Sequence, residues 1–214
     1  LPGVMQTQID EASGYTFASA MRSLLRQNPN IMMIGEIRDQ ETAKISMEAS
    51  LTGHLVLSTI HANSAAGAIS RFAGLGLDRQ TLANAIEFTI GQRLVRKLCP
   101  YCKREIELSP EDDKRVKEEL LKIKNQDIKI PEKMTFYQSS GCPKCNHIGY
   151  KGRLGLYETI TMTPEIKKLI LQENITDSEI EQAAIDNGMV TMVQDGILKA
   201  LEGETSIEEV FRAI

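Results

Sequence analysis

Along the first hundred residues the apolar positions switch between helical spacing and short unbroken runs, a pattern that predicts an α/β layer with a parallel sheet. Thr16 is placed to cap a helix with an apolar stripe of Phe17, Met21, Leu24 and Leu25, and Asn28-Pro29 closes it. Ile31 to Ile34 is a continuous apolar run ending at Gly35-Glu36, which predicts a strand buried on both faces. A second helix is expected over Gln40 to Leu51, stopped by Thr52-Gly53. A second buried strand follows over His54 to Ile60 and runs into a polar cluster of Ser58, Thr59, His61 and Asn63. A third helix runs from about Ala65 to Gly74. Ala83, Ile86, Ile90 and Leu94 then predict a longer fourth helix over Arg79 to Leu98.

Beyond residue 98 the pattern changes. Ser109-Pro110-Glu111-Asp112 starts a helix, with Ser at the N-cap and Pro at the first helical position, and Val116, Leu120 and Ile123 form its stripe. Gly152 to Glu158 predicts a short strand with glycines at its edge, and helices follow to the end. Thr163-Pro164 opens one, Thr176 or Asp177 the next, and Asn187-Gly188 caps it. The stretch from Thr205 to Glu209 contains a capping box, followed by Ile207, Val210, Phe211 and Ile214 on one face. These changes divide the chain into residues 1–98, 99–150 and 151–214. Nothing in it repeats internally.

Composition narrows the function classes. At 214 residues and 42% hydrophobic content the chain buries an ordinary globular core. A net charge of −4, with no Lys/Arg-rich block, argues against a nucleic-acid surface. Lys103 to Lys133 carries nine basic and nine acidic residues, a solvated and balanced surface. No segment reads as a signal peptide or a membrane span. The opening Leu1-Pro2-Gly3-Val4 reads as a start in mid-domain.

The four cysteines form two knuckles, Cys99-Pro-Tyr-Cys102 and Cys142-Pro-Lys-Cys145, separated by 39 residues. Each C-x-x-C sets two thiolates on one tight turn, and two such turns complete a closed tetrahedral S4 shell for a structural Zn2+. The spacing exceeds what a compact zinc ribbon needs, so an insertion is expected to decorate the site. Two disulfides would require an oxidising compartment, and a redox pair would use one knuckle and leave the other idle. His147 is a spare ligand or a bystander.

The two predicted strands both end in residues capable of catalysis, Glu36 and His61. In open parallel sheets, ligands bind beyond the carboxyl ends of the strands. A carboxylate just past four apolar strand residues is what a nucleotide hydrolase uses to hold Mg2+ through water or to polarise the attacking water. Gly35 stands where such enzymes usually have an Asp. An exposed carboxylate and a hydrogen-bonded histidine closing a strand are equally consistent with these two residues. Arg22 and Arg26 share a helical face and Arg38 follows Glu36 by two, a set suited to phosphate oxygens or to surface pairing with Glu11 or Glu41.

Several adjoining motifs carry a resemblance: Leu24-Leu25-Arg26-Gln27-Asn28-Pro29, Ile34-Gly35-Glu36-Ile37-Arg38-Asp39, Glu41-Thr42-Ala43, Ser50-Leu51-Thr52-Gly53-His54 and Ser58-Thr59-Ile60-His61-Ala62-Asn63. Gln92 to Pro100 and Gly152 to Gly155 continue it, so essentially the whole chain resembles the secretion ATPases of type II secretion and type IV pilus assembly. The resemblance implies a partial RecA-like P-loop NTPase core with a tetracysteine insert and a C-terminal helical subdomain. It also implies a cytoplasmic homohexamer, peripheral at the inner membrane, that hydrolyses ATP with Mg2+ to drive pilin or pseudopilin assembly. An inner-membrane platform protein and a cytoplasmic recruitment protein are the implied partners, with no nucleic acid and no direct membrane insertion.

By position, Glu36 matches the family's Walker-B element and His61 its histidine box. Arg22, Arg26, Arg38, Arg71 and Arg153 fall where the family has arginines near nucleotide or subunit interface. The tetracysteine insert resembles the assembly and secretion branch rather than the retraction motors. No G-x-x-x-x-G-K-[ST] loop occurs in these residues, so the chain alone is expected not to turn over ATP. The competing readings are a non-catalytic zinc-stabilised interaction module and a zinc-ribbon nucleic-acid binder.

Overall fold

A computed structural model describes residues 3–214, and the chain is α/β. It divides into two compact units: the residues through Glu87 with Met162–Asp177, and Phe88–Thr161 with Ser178–Ile214.

The first unit is built around a strand–helix–strand crossover, β1 (Ile31–Ile34), α2 (Gln40–Leu51) and β2 (Leu55–Ser58), with β1 and β2 parallel. α1 (Phe17–Leu25) precedes it. The Thr16 hydroxyl accepts the Ser19 N–H, the Ser19 hydroxyl accepts the Thr16 N–H, and Asn28 turns the chain at φ 54°. Asp39 caps α2 by accepting the Thr42 N–H at 2.8 Å. α3 (Ala65–Gly74) and α4 (Arg79–Ala85) are capped the same way by Ser64 and Asp78. Small residues let these helices approach closely: Ala43, Ala65 and Ala66 are essentially inaccessible. α6 (Pro164–Ile170) ends where the Arg79 guanidinium donates to the carbonyls of Ile170 and Glu173, placing a cation at the helix C-terminus.

Neither strand of this unit is buried on both faces. β1 alternates, with Met32 and Ile34 buried while Ile31 and Met33 are more than 60% exposed, and Leu55 and Leu57 of β2 are also exposed. Described residues cover one face of this two-stranded sheet, and an apolar run does not reveal that its second face is left open.

The expected helix over Arg79 to Leu98 is replaced by two elements. α4 stops at Ala85, Ile86 is already extended at φ −86° and ψ 128°, and Phe88–Leu98 is a strand, β3. Its apolar positions fit a helix as well as a strand. The decision is made by the antiparallel partner β6 (Tyr150–Thr161), which satisfies the β3 backbone from Phe88↔Thr161 to Leu98↔Tyr150. The register slips between Arg96 and Leu98, and this irregularity shifts the inward phase from Val95 to Leu98.

The rest of the second unit packs on that ribbon. β4 (Lys103–Ile106) and β5 (Phe136–Ser139) form an antiparallel pair not apparent from the pattern, and α5 (Pro110–Leu121) lies between them in sequence. α7 (Asp177–Asp186), α8 (Met192–Leu201) and α9 (Ile207–Ala213) complete the chain. Val116 and Leu120 of α5 join Phe136, Ile197, Ala200 and Ile207 in one core. Gly196 lets α8 approach its neighbours: a Cβ there would lie 2.5 Å from Val210 Cγ1 and 3.1 Å from Leu156 Cδ1. Overpacking costs about 1–3 kcal/mol, against roughly 1 kcal/mol gained from helix propensity. Gly196→Ala is therefore expected to lower the midpoint of thermal unfolding; an unchanged or raised midpoint would contradict this packing.

The capping box expected at α9 is only half present. Ser206 Oγ accepts the Glu209 N–H, but the Glu209 carboxylate turns away from the cap to Arg96 and Arg212. A buried carboxylate gains more from two guanidinium groups than from one N–H.

Candidate functional site

In the first unit, hydrogen bonding continues past the ends of β1 and β2 and holds their exits side by side. The Ile37 N–H donates to the Thr59 carbonyl at 2.9 Å, and the Thr59 hydroxyl to the Gly35 carbonyl at 2.6 Å. Glu36 and His61 therefore meet, with His61 Nε2 3.1 Å from Glu36 Oε2, while the Arg38 guanidinium donates to Oε1. Glu36 is largely shielded, with a side chain 22% exposed, and His61 stands out in solvent. The hydrogen bond from Arg38 is the main reason its carboxyl lies below the usual carboxylate range; the charges of Arg38 and His61 add to it, and partial burial opposes. The group is an ionised acceptor at the C-terminal end of a parallel strand pair.

Arg22 is 2.5 Å from Glu41, so it is engaged in one of the surface pairings anticipated for it. Arg26 and Arg71 are exposed and make no ion pair among the described residues. Arg153 belongs to the second unit, on β6 directly across from Arg96. Of the sequence-derived set, then, Glu36, His61 and Arg38 come together. Asp39, which ends the motif that holds Glu36 and Arg38, serves as the α2 cap.

In the second unit, the β4–β5 pairing explains how knuckles 39 residues apart become neighbours. Lys103 pairs with Ser139, and the Ser140 N–H reaches the Cys102 carbonyl at 3.4 Å. The Cys99 N–H donates to the Gly149 carbonyl at 3.0 Å. Gly141 and Gly149 have φ of 86° and 78°, and a Cβ on Gly141 would come within 2.5 Å of the His147 carbonyl oxygen. Only glycine fits there.

All four sulfurs lie within 4.8 Å of one another and none is in a disulfide. The separations Cys99–Cys142 and Cys102–Cys145 are 3.9 Å, and Cys142–Cys145 is 3.8 Å. A tetrahedral zinc site with Zn–S bonds near 2.3 Å has sulfur–sulfur edges of about 3.8 Å, so the set fits the metal. The N–H groups of Cys142 and Gly149 point at the Cys145 sulfur, 3.2 and 3.3 Å away. At Cys145 burial opposes ionisation, but those two donors together with the Cys142 and Cys102 thiols outweigh it and bring the thiol down to about 6. Burial pushes the Cys102 thiol up to about 11, with contacts from the other sulfurs adding to the rise. His147 is not part of the sulfur cluster; its N–H donates to the Cys142 carbonyl.

No helix among the described residues is long and apolar enough to cross a membrane. The family model for the Type II/IV secretion system protein matches residues 1–212. The type IV pilus assembly ATPase PilB of Thermus thermophilus is 42% identical over 98% of this chain, which spans 23% of that protein. The type II secretion system ATPase E of Vibrio cholerae is 39% identical over 99% of the chain and 40% of its own length. Among solved structures, the Legionella pneumophila ATPase DotB superposes with TM-score 0.61 at 20% identity, over 92% of this chain and 42% of that one. The pilus retraction motor PilT with bound ADP gives 0.60 at 24% identity, over 93% and 43%. These structural likenesses show the fold, and the chain spans less than half of each relative. The family match covers nearly every residue, and the chain belongs to the type II/IV secretion system protein family.

Proposed function

We propose that this chain is the C-terminal portion of an ATPase that powers pilin or pseudopilin assembly in type II secretion or type IV pilus biogenesis. The observation that carries the reading is the Glu36–His61–Arg38 cluster at the carboxyl ends of two parallel strands, in a chain whose curated relatives are named ATPases of these machines. In this reading the core is RecA-like, the working protein is a cytoplasmic homohexamer peripheral to the inner membrane, and its partners are the platform and recruitment proteins. The tetracysteine centre supports the assembly and secretion branch. The chain by itself, without a phosphate loop in its sequence, is expected to be inactive.

Mg2+ and ATP would supply the electrophilic phosphoryl group and the charge neutralisation. Glu36 is ionised and offers an oxygen to a metal-held or attacking water once Arg38 or His61 yields its hydrogen bond. His61, exposed and hydrogen-bonded to the carboxylate, orients it and is free to turn toward phosphate. Arg38 keeps Glu36 charged.

In the full-length protein, Glu36→Gln is expected to lower ATP turnover by about 10²-fold or more while leaving ATP binding nearly unchanged. Steady-state phosphate release and equilibrium nucleotide titration measure the two. Undiminished turnover would remove Glu36 from the chemistry.

A further inference from the structure

The tips of the two knuckles touch. Tyr101 lies between the ligands of the first, Lys144 between those of the second, and Lys144 Nζ sits 3.8 Å from the centroid of the Tyr101 ring. Two backbone bonds also join the knuckles, Cys99 N–H to Gly149 and Ser140 N–H to Cys102, but each engages a residue outside one of the two C-x-x-C turns. Beside the sulfurs themselves, the Lys144–Tyr101 pair is a side-chain contact that runs from inside one turn to inside the other.

Both chemistries favour a lysine here. A cation over a tyrosine face is held by the ring quadrupole. Four thiolates around a divalent ion leave two excess negative charges, and an ammonium next to Cys145 and two residues from Cys142 offsets part of that excess. Any motion that swings one knuckle away from the other must separate Lys144 from Tyr101. We propose that the Lys144–Tyr101 pair is a latch that slows dissociation of the zinc ion by holding the knuckles closed. The proposal rests on the zinc reading of the four cysteines. Lys144 and Tyr101 act here as positioning residues, since neither offers a ligand atom to the sulfur cluster.

The test is transfer of zinc from the full chain to a chromogenic chelator in excess, after elemental analysis has fixed the zinc content. Lys144→Ala and Tyr101→Ala are each expected to speed transfer about two- to fivefold, the range for an exposed cation–π contact. Because each variant removes the same contact, the double variant is expected to be no faster than the singles. Lys144→Arg keeps a cation on the ring and is expected to restore the wild-type rate. Lys151→Ala, which removes a lysine from the cleft of about 400 Å³ beside Tyr101, is expected to leave it unchanged. One zinc per chain with wild-type rates in both alanine variants, or single effects that multiply in the double variant, would overturn the latch. A chain that holds no zinc would overturn the zinc reading and the latch together.

Discussion

Replacing Cys142 and Cys145 by Ser is expected to release the zinc and unfold much of the second unit. The second knuckle is the return point of an insertion whose only strand pair, β4–β5, is four residues long. Without the metal, that pair must hold Val116, Leu120 and Phe136 against Ile197 and Ala200 by core packing alone. Structural zinc sites contribute about 10–16 kcal/mol of apparent binding free energy, as large as the roughly 5–15 kcal/mol that separates folded from unfolded in whole domains. The variant should lose its metal by elemental analysis, lose a cooperative thermal transition, and become open to protease between residues 99 and 150. A metal-free variant with an unchanged melting profile would mean that the sulfurs are not part of what holds the unit together.

Arg96→Ala is expected to be the most damaging single substitution outside the cysteines. Glu209 is fully buried, and its carboxylate accepts from the Arg96 backbone N–H, Arg96 Nε at 2.9 Å and Arg96 Nη2 at 2.5 Å, with Arg212 as a further donor. Arg96 also lies over the Tyr150 ring at 4.0 Å, and its carbonyl accepts the Thr205 hydroxyl. The network thus ties β3 to the start of α9. Breaking a buried pair by removing one partner costs about 3–5 kcal/mol. The lower end is expected here, because Arg96 is nearly half exposed and Arg212 remains.

The same pair sets a pH dependence. Burial works against ionisation of Glu209, but the hydrogen bonds from Arg96 prevail and hold its carboxyl below the usual range. A depressed carboxyl contributes stability that is fully present above the unfolded value of roughly 4.3 and is lost as pH falls through the lower folded value. Denaturant melts of wild type and Arg96→Ala should therefore differ most near neutrality and converge in acid. A gap that stays constant from pH 7 to pH 3 would show that packing, not charge, is what Arg96 supplies.

What was legible in the sequence divides along local and non-local lines. The sequence places α1, α2 and α3 close to their observed bounds and α5 and α6 at their observed starts, because caps such as Thr16, Ser109 and Thr163 act within three residues of themselves. The β3 segment carries a helical signal, because Ala83, Ile86, Ile90 and Leu94 satisfy a helical stripe, and its true partner lies more than fifty residues away in β6. β4 and β5 leave no local signal for the same reason. Glu209 fits a local capping box by spacing, and the competing partner is Arg96, 113 positions earlier.

The candidate sites follow the same division. Four cysteines in two knuckles carry their chemistry in their spacing, and the sulfurs do converge. The meeting of Glu36 and His61 was implied by strand-end logic once both strands were placed in one parallel sheet. The arginines were less legible, because a guanidinium reaches several positions from one backbone site. Arg22 settles on Glu41, whereas Arg38 folds back on Glu36. The Lys144–Tyr101 contact joins residues 43 positions apart, inside motifs whose variable positions carry no pattern of their own.

X-ray absorption at the zinc edge, with elemental analysis of the purified chain, tests the four-sulfur shell directly. One zinc per chain with four sulfur neighbours at about 2.3 Å is the expected result. No zinc, or a shell in which nitrogen or oxygen replaces a sulfur, would contradict the structural centre on which the fold of the second unit depends.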